Sequence, residues 1–171
     1  MKYFVCALLL MTSLSCNADY NRGDFGAGWI GSCLNTREEI LIRDSEKQPF
    51  IKDCKVDGGL WTSRYDKKVF MYPYGMDIDH IVPLKYAYTH GAAAWPKEYK
   101  IQFANDPDNL LSVSASSNRS KGDKDPFRWM PPNKQYWCTY LTKWNNVVVK
   151  YNLTQDELTI KFVSDNLSKC K

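Results

Sequence analysis

The chain has 171 residues, of which 44% are hydrophobic, 25% charged and 14% aromatic, and its formal net charge is +4. That length suits one compact domain, and the composition excludes a disordered, collagenous or multi-span membrane chain. The small positive charge argues for a polyanionic partner only where Lys and Arg are gathered at one place.

Residues 1–18 read as an export signal. Lys2 gives the positive start, FVCALLLM is the apolar run, and Cys16-Asn17-Ala18 places small residues at the −3 and −1 positions of a cleavage site. The run is far shorter than the roughly 20 apolar residues a membrane span needs, and lipid attachment at Cys16 is the alternative to cleavage after Ala18. The expected destination is the periplasm or the medium. Cleavage leaves Cys33, Cys54, Cys138 and Cys170. Four cysteines in an exported chain imply two disulfides, with three connectivities open; the simplest pairs Cys33 with Cys54 and Cys138 with Cys170, each local to one end. No CxxC pair is present, which argues against a cysteine-rich zinc site.

No repeat, low-complexity tract or linker divides residues 19–171, so a single domain is expected. Residues 19–31 are Gly-rich and should be irregular. Thr36-Arg37-Glu38-Glu39 reads as a capping box, opening a short helix to about Ser45 with Ile40 and Leu41 inward. Gly58-Gly59 between short β-prone runs suggests a hairpin. MDIDHIVPL, from Met76 to Leu84, alternates apolar with polar up to His80, as a half-buried strand does, and Pro83 ends it. Residues 85–104 should be helical with breaks at Gly91 and Trp95-Pro96. Residues 109–114 form a second strand, and Ser116-Ser117 can cap a helix that Gly122 stops. Towards the C-terminus, Tyr136, Trp137, Tyr140, Leu141, Trp144, Val147, Val148 and Tyr151 mark one helix face. Thr154 to Glu157 is a second capping box, before a last helix with Ile160, Val163, Leu167 and Cys170 on one stripe.

Residues 77–126 carry the chemistry. His80, one of two histidines, directly follows an acid at a strand end. Adjacent strand residues point to opposite faces, so Asp79 and His80 can share a site only from a bent or terminal geometry. A hard cation such as Mg²⁺ takes one or two protein oxygens and completes its shell with water and phosphate, which suits Asp79 with the Asn118 amide. A neutral imidazole beside it can activate water. Arg119 and Lys121 are expected to bind flanking phosphates. Asp77 reads either as support for His80 or as a solvated strand residue. His90 reads as a surface or capping residue, and the aromatic helix as core rather than a base-stacking platform.

DIDHIVPL followed by DNLLSVSASSNRSKGDKDP resembles the HNH, or ββα-metal, nuclease motif. Asp79 and His80 match its metal-binding acid and general-base histidine, Asn109 the asparagine that ties the strands and helps hold the histidine, and Asn118 the second metal ligand. CNTREEIL, CKVDGGLWTSRYD and DPFRWMPP extend the resemblance to exported bacterial members over nearly all of the mature chain; the long insertion at 85–108 departs from the pattern. The resemblance implies an α+β fold with a ββα-metal core over residues 76–126, additional helices and two disulfides. It further implies an endonuclease that leaves 5′-phosphate ends; DNA, or RNA as well, is the expected substrate and a monomer the expected state. One Mg²⁺ or Mn²⁺ would be held by Asp79 and Asn118, with His80 and Asn109 in the catalytic set. An inactive nucleic-acid-binding module on the same scaffold is the rival reading, and a structural role for Asp79-His80 in a core loop is another.

Overall fold

A computed structural model describes residues 19–170; the expected export signal at 1–18 lies outside them. The described chain is α+β. Helix α1 (Thr36–Asp44) is followed by four short strands, β1 (Phe50–Lys52), β2 (Lys55–Gly58), β3 (Trp61–Thr62) and β4 (Val69–Phe70), and then by β5 (Met76–His80). Helices α2 (Leu84–Thr89) and α3 (Lys97–Ala104) lead into β6 (Leu110–Ser114), α4 (Ala115–Lys121), α5 (Trp137–Lys150) and α6 (Glu157–Leu167). The strands pair antiparallel in twos: β1 with β2, β3 with β4, and β5 with β6.

The β5–β6 ladder runs in unbroken register from Met76↔Ser114 to His80↔Leu110, and α4 follows β6 without a connecting loop. Strand alternation gives this ribbon two faces. Met76, Ile78 and Leu110 join Ile40, Leu41, Val56 and Trp61 in one apolar cluster under α1. Leu111 and Val113 face the larger cluster, where Tyr65, Tyr140, Leu141 and Trp144 are completely or almost completely buried. The face of α5 that packs there consists of Tyr140, Leu141, Trp144, Val147 and Val148, at the spacing the sequence predicts.

Several boundaries differ from expectation by one or two residues, each because another polar group captures the helix end. Asn35, not Thr36, caps α1 by accepting from the Glu38 amide, and Glu38 is itself buried, accepting from the Val56 amide at 2.6 Å. Ser114 caps α4 through the Ser117 amide, and Asp156 caps α6 through the Thr159 amide. The first hairpin turns at Asp53-Cys54, both at positive φ, rather than at Gly58-Gly59. Ile160, expected on the inward stripe of α6, is exposed, while Val163 is buried.

Both disulfides take the local pairing: Cys33–Cys54 ties the segment before α1 to that hairpin turn, and Cys138–Cys170 ties the start of α5 to the chain end. Each closes a loop whose opening should cost about 3 kcal/mol in the chain-entropy account. Melting with and without reductant should show a lower midpoint on reduction, and an unchanged midpoint would mean the covalent links carry no stability.

Asp66 gives a pH signature. It accepts from the Ser114 hydroxyl at 2.6 Å, so it supports the residue that caps α4. Burial acts to raise its pKa, but hydrogen bonds from Ser114, Ser63 and Lys68 outweigh that and hold it down at about 2. An unfolded aspartate titrates near 3.9, so this contribution is fully present above about pH 4 and is lost as pH falls towards 2. Denaturant melts should find Asp66→Asn less stable than the parent at neutral pH, with the gap closing across that acid window. A gap constant down to pH 2 would contradict the assignment.

Candidate functional site

The site stands where β5 ends and α4 lies against it. Asp77 and Asp79, two apart on a strand, share one face; Asn118 and Lys121, three apart on a helix, share another. The spans are about 6.6 Å and about 4.5 Å, close enough for two parallel cross-links. The Asn118 amide nitrogen donates to the Asp77 carboxylate at 3.0 Å, and the Lys121 ammonium donates to Asp79 Oδ1 at 2.9 Å. Lys121 also donates to the His80 carbonyl at 2.7 Å, and the Tyr65 hydroxyl donates to Asp79 Oδ2 at 2.7 Å.

Lys121 is 0% exposed, which corrects its expected role as a phosphate contact: its ammonium is spent inside the protein on Asp79 and the strand end. Burial shifts both partners towards their neutral forms, raising the Asp79 carboxyl and lowering the Lys121 ammonium, and their mutual attraction opposes both shifts. Asp77 is the support of Asn118. A carboxylate only accepts, so it faces the amide NH₂ and leaves the Asn118 oxygen unspent.

His80 is buried. Its Nε2 lies 2.8 Å from the Ala104 carbonyl, and a carbonyl only accepts, so in the neutral ring Nε2 carries the proton and Nδ1 the lone pair. Burial is the main force that drives its pKa down, to about 3, with the charges of Arg22 and Lys121 adding to it. The Trp29 indole stacks on the ring at 5.6 Å between centroids and 13° between planes.

Asn109 is completely buried. Its side-chain oxygen accepts from the Val82 amide at 2.8 Å and its NH₂ donates to the Val82 carbonyl at 3.2 Å, so it pins the turn that follows His80. Expected in the catalytic set, it has no exposed surface and its side chain is engaged with the Val82 backbone.

The terminal position of His80 resolves the facing problem: Asp79, His80 and Asn118 all line one cavity of about 380 Å³ that is open to solvent, together with Arg22 and Lys85. Arg119 is exposed but stands outside that wall. His90 caps α2 and stacks on Tyr86. Trp144 is wholly buried, and Trp137 is half-buried and donates to the Pro131 carbonyl.

Tyr65, Arg22 and Trp29 are neighbours of the site that the sequence reading did not single out. Tyr65 sits in SRYD with no local pattern to mark it, and the other two lie in the Gly-rich stretch expected to be irregular.

Among the described residues no group of three or more His, Cys, Asp or Glu forms a metal cage. The donors that could serve a cation are oxygens: the unspent Asn118 amide oxygen and the remaining lone pair on each Asp79 oxygen. Such a sparse, hard donor set fits an ion that keeps most of its shell as water and phosphate, as Mg²⁺ does. The buried Lys121–Asp79 pair gives a direct stability test. Lys121→Met should destabilise the fold by about 3–5 kcal/mol, because it leaves an uncompensated buried carboxylate. Adding Asp79→Asn should recover part of that loss, and a single-variant cost below about 1 kcal/mol would contradict the pairing.

No solved structure matches this chain. An uncharacterized secreted protein of Arthroderma benhamiae is 37% identical over 156 residues, covering 88% of this chain and 76% of the relative. Residues 35–159, a span that includes β5, β6 and α4, match the family model described as GmrSD restriction endonucleases, C-terminal domain. The chain belongs to that family, the C-terminal domain of the GmrSD restriction endonucleases.

Proposed function

We propose that this chain is an exported, HNH-type endonuclease that hydrolyses phosphodiester bonds of DNA, and of RNA as a second substrate, with little sequence preference. The membership in a restriction-endonuclease-related family supports nuclease chemistry. Two disulfides and a relative described as secreted support export, and that relative favours release over retention in a periplasm. The observation that carries the reading is that Asp79, His80 and Asn118 together line one solvent-open cavity where β5, β6 and α4 meet.

In this reading the unprotonated Nδ1 of His80 takes a proton from a water molecule, while the Ala104 carbonyl holds Nε2–H and fixes the ring. The water oxygen forms a bond to phosphorus as the bond to the 3′ oxygen breaks; the 3′ oxygen takes a proton from solvent to become a hydroxyl, and the other product carries a 5′-phosphate. Asp79 and Asn118 would hold one Mg²⁺ or Mn²⁺, which when bound supplies charge stabilisation for the phosphoryl oxygens and the leaving group. Lys121 and Tyr65 fix the direction of the Asp79 carboxylate, and Asp77 fixes that of the Asn118 amide. Asn109 keeps the turn after His80 in place. Arg119, exposed on the neighbouring helix, is the proposed contact for a flanking phosphate. Contacts to phosphate position a substrate without reading its sequence.

Digestion of supercoiled plasmid, linear duplex, single strands and RNA side by side should show cleavage that EDTA abolishes. His80→Ala should lower it by three orders of magnitude or more with the melting curve retained, and Asn118→Ala should move half-saturation by Mg²⁺ about tenfold upwards. Cleavage undiminished in His80→Ala would remove the mechanism. Binding of DNA without any cleavage would favour an inactive binding module on the same scaffold.

A further inference from the structure

A second cavity, of about 320 Å³, shares Arg22, His80 and Leu84 with the first. Its remaining wall comes largely from residues 23–29, among them Phe25, Ala27 and Trp29. This wall lies N-terminal to the span matched by the family model, which begins at residue 35.

The wall is built in rather than draped over the surface. Phe25 is buried, with its ring 6.1 Å from that of Phe103, and the Ile30 amide donates to the Asn105 side chain at 3.0 Å. Gly26 turns at φ +101°, with Ile101 only 3.2 Å from where a Cβ would stand, so the turn requires glycine. Trp29 is held by its stack on His80. The volume falls in the range of small-ligand sites, and the lining joins aromatic and aliphatic side chains with one cation, Arg22.

We propose that this second cavity is a base-binding pocket: it takes the nucleobase of a nucleotide adjoining the phosphodiester at His80, while Arg22 binds the phosphate that joins the two cavities. The proposal rests on the nuclease reading for its placement. The apolar floor suits a planar aromatic ring more than a sugar or a free phosphate. Arg22 lines both cavities, so its guanidinium can reach a phosphate that links a base in one to a diester in the other. Every base presents a π-face, so such a pocket holds a strand without selecting a sequence.

Fluorescence anisotropy in EDTA, where no cleavage occurs, tests this with two single-stranded oligonucleotides of equal length, one of thymidine and one wholly abasic. The parent protein should bind the thymidine strand about tenfold more tightly. Ala27, exposed on the cavity wall, offers a way to fill the pocket: Ala27→Trp should collapse that preference. Arg22→Ala should weaken both strands alike and keep the ratio. Equal binding of the two strands by the parent protein, or a preference undiminished in a folded Ala27→Trp, would overturn the proposal. Plasmid cleavage by the parent protein tests the nuclease reading separately. A base preference without cleavage would leave the pocket and remove the nuclease, and cleavage without a preference would do the reverse.

Discussion

The buried ion pair between Lys121 and Asp79 is the constraint on which the site depends. Taking both charges out of water is costly, and only close contact between them and full hydrogen bonding offset that cost. Lys121 meets both demands by bonding the Asp79 carboxylate and the His80 carbonyl at once. A helix bound to a strand end in this way cannot slide without breaking a charge–charge contact in an apolar setting. The relative positions of Asp79, His80 and Asn118 are therefore fixed before any ligand arrives.

Segments distant along the chain then support that pair. Tyr65 completes the Asp79 carboxylate, and its own hydroxyl is held protonated by burial and by the neighbouring charge of Asp79. Its ring packs edge-on against Trp129 and Tyr140, and its carbonyl accepts from the Asn133 amide. Asp125 is buried and binds the Arg128 amide and guanidinium, which shapes the turn that brings Trp129 there. The middle of the chain contains no cysteine. Packing and hydrogen bonds hold it, while the two disulfides fasten the ends.

The histidine shows how a strand end differs from a strand interior. Within β5, residues 79 and 80 must face opposite ways, and they do: Asp79 turns to Tyr65 and α4, and His80 to Trp29 and Ala104. Because the strand stops at His80, the cavity wraps round its end and reaches both sides. The carbonyl of Ala104, at the end of the long insertion, sets which ring nitrogen keeps its proton. The insertion thus orients the imidazole, a role that composition and spacing do not reveal.

Local chemistry was legible along the chain. Alternation marked β5, the 3–4 spacing of aromatics marked α5, glycine marked the end of α4, and four cysteines in two local pairs marked the disulfides. These are signals written between near neighbours, where backbone period and side-chain reach decide the outcome. Helix caps were placed one or two residues off, since Asn35, Ser114 and Asp156 outcompeted the residues beside them for the same amides. The fate of Lys121 was not legible at all: a lysine after Asn118-Arg119-Ser120 looks like a surface cation until β5 and α4 are brought together. Only tertiary packing excluded water from it and delivered Asp79 as its partner, and only that packing placed Arg22, Trp29 and Tyr65 beside the site. A one-dimensional pattern records which groups can bond; which of them lose their solvent depends on what folds over them.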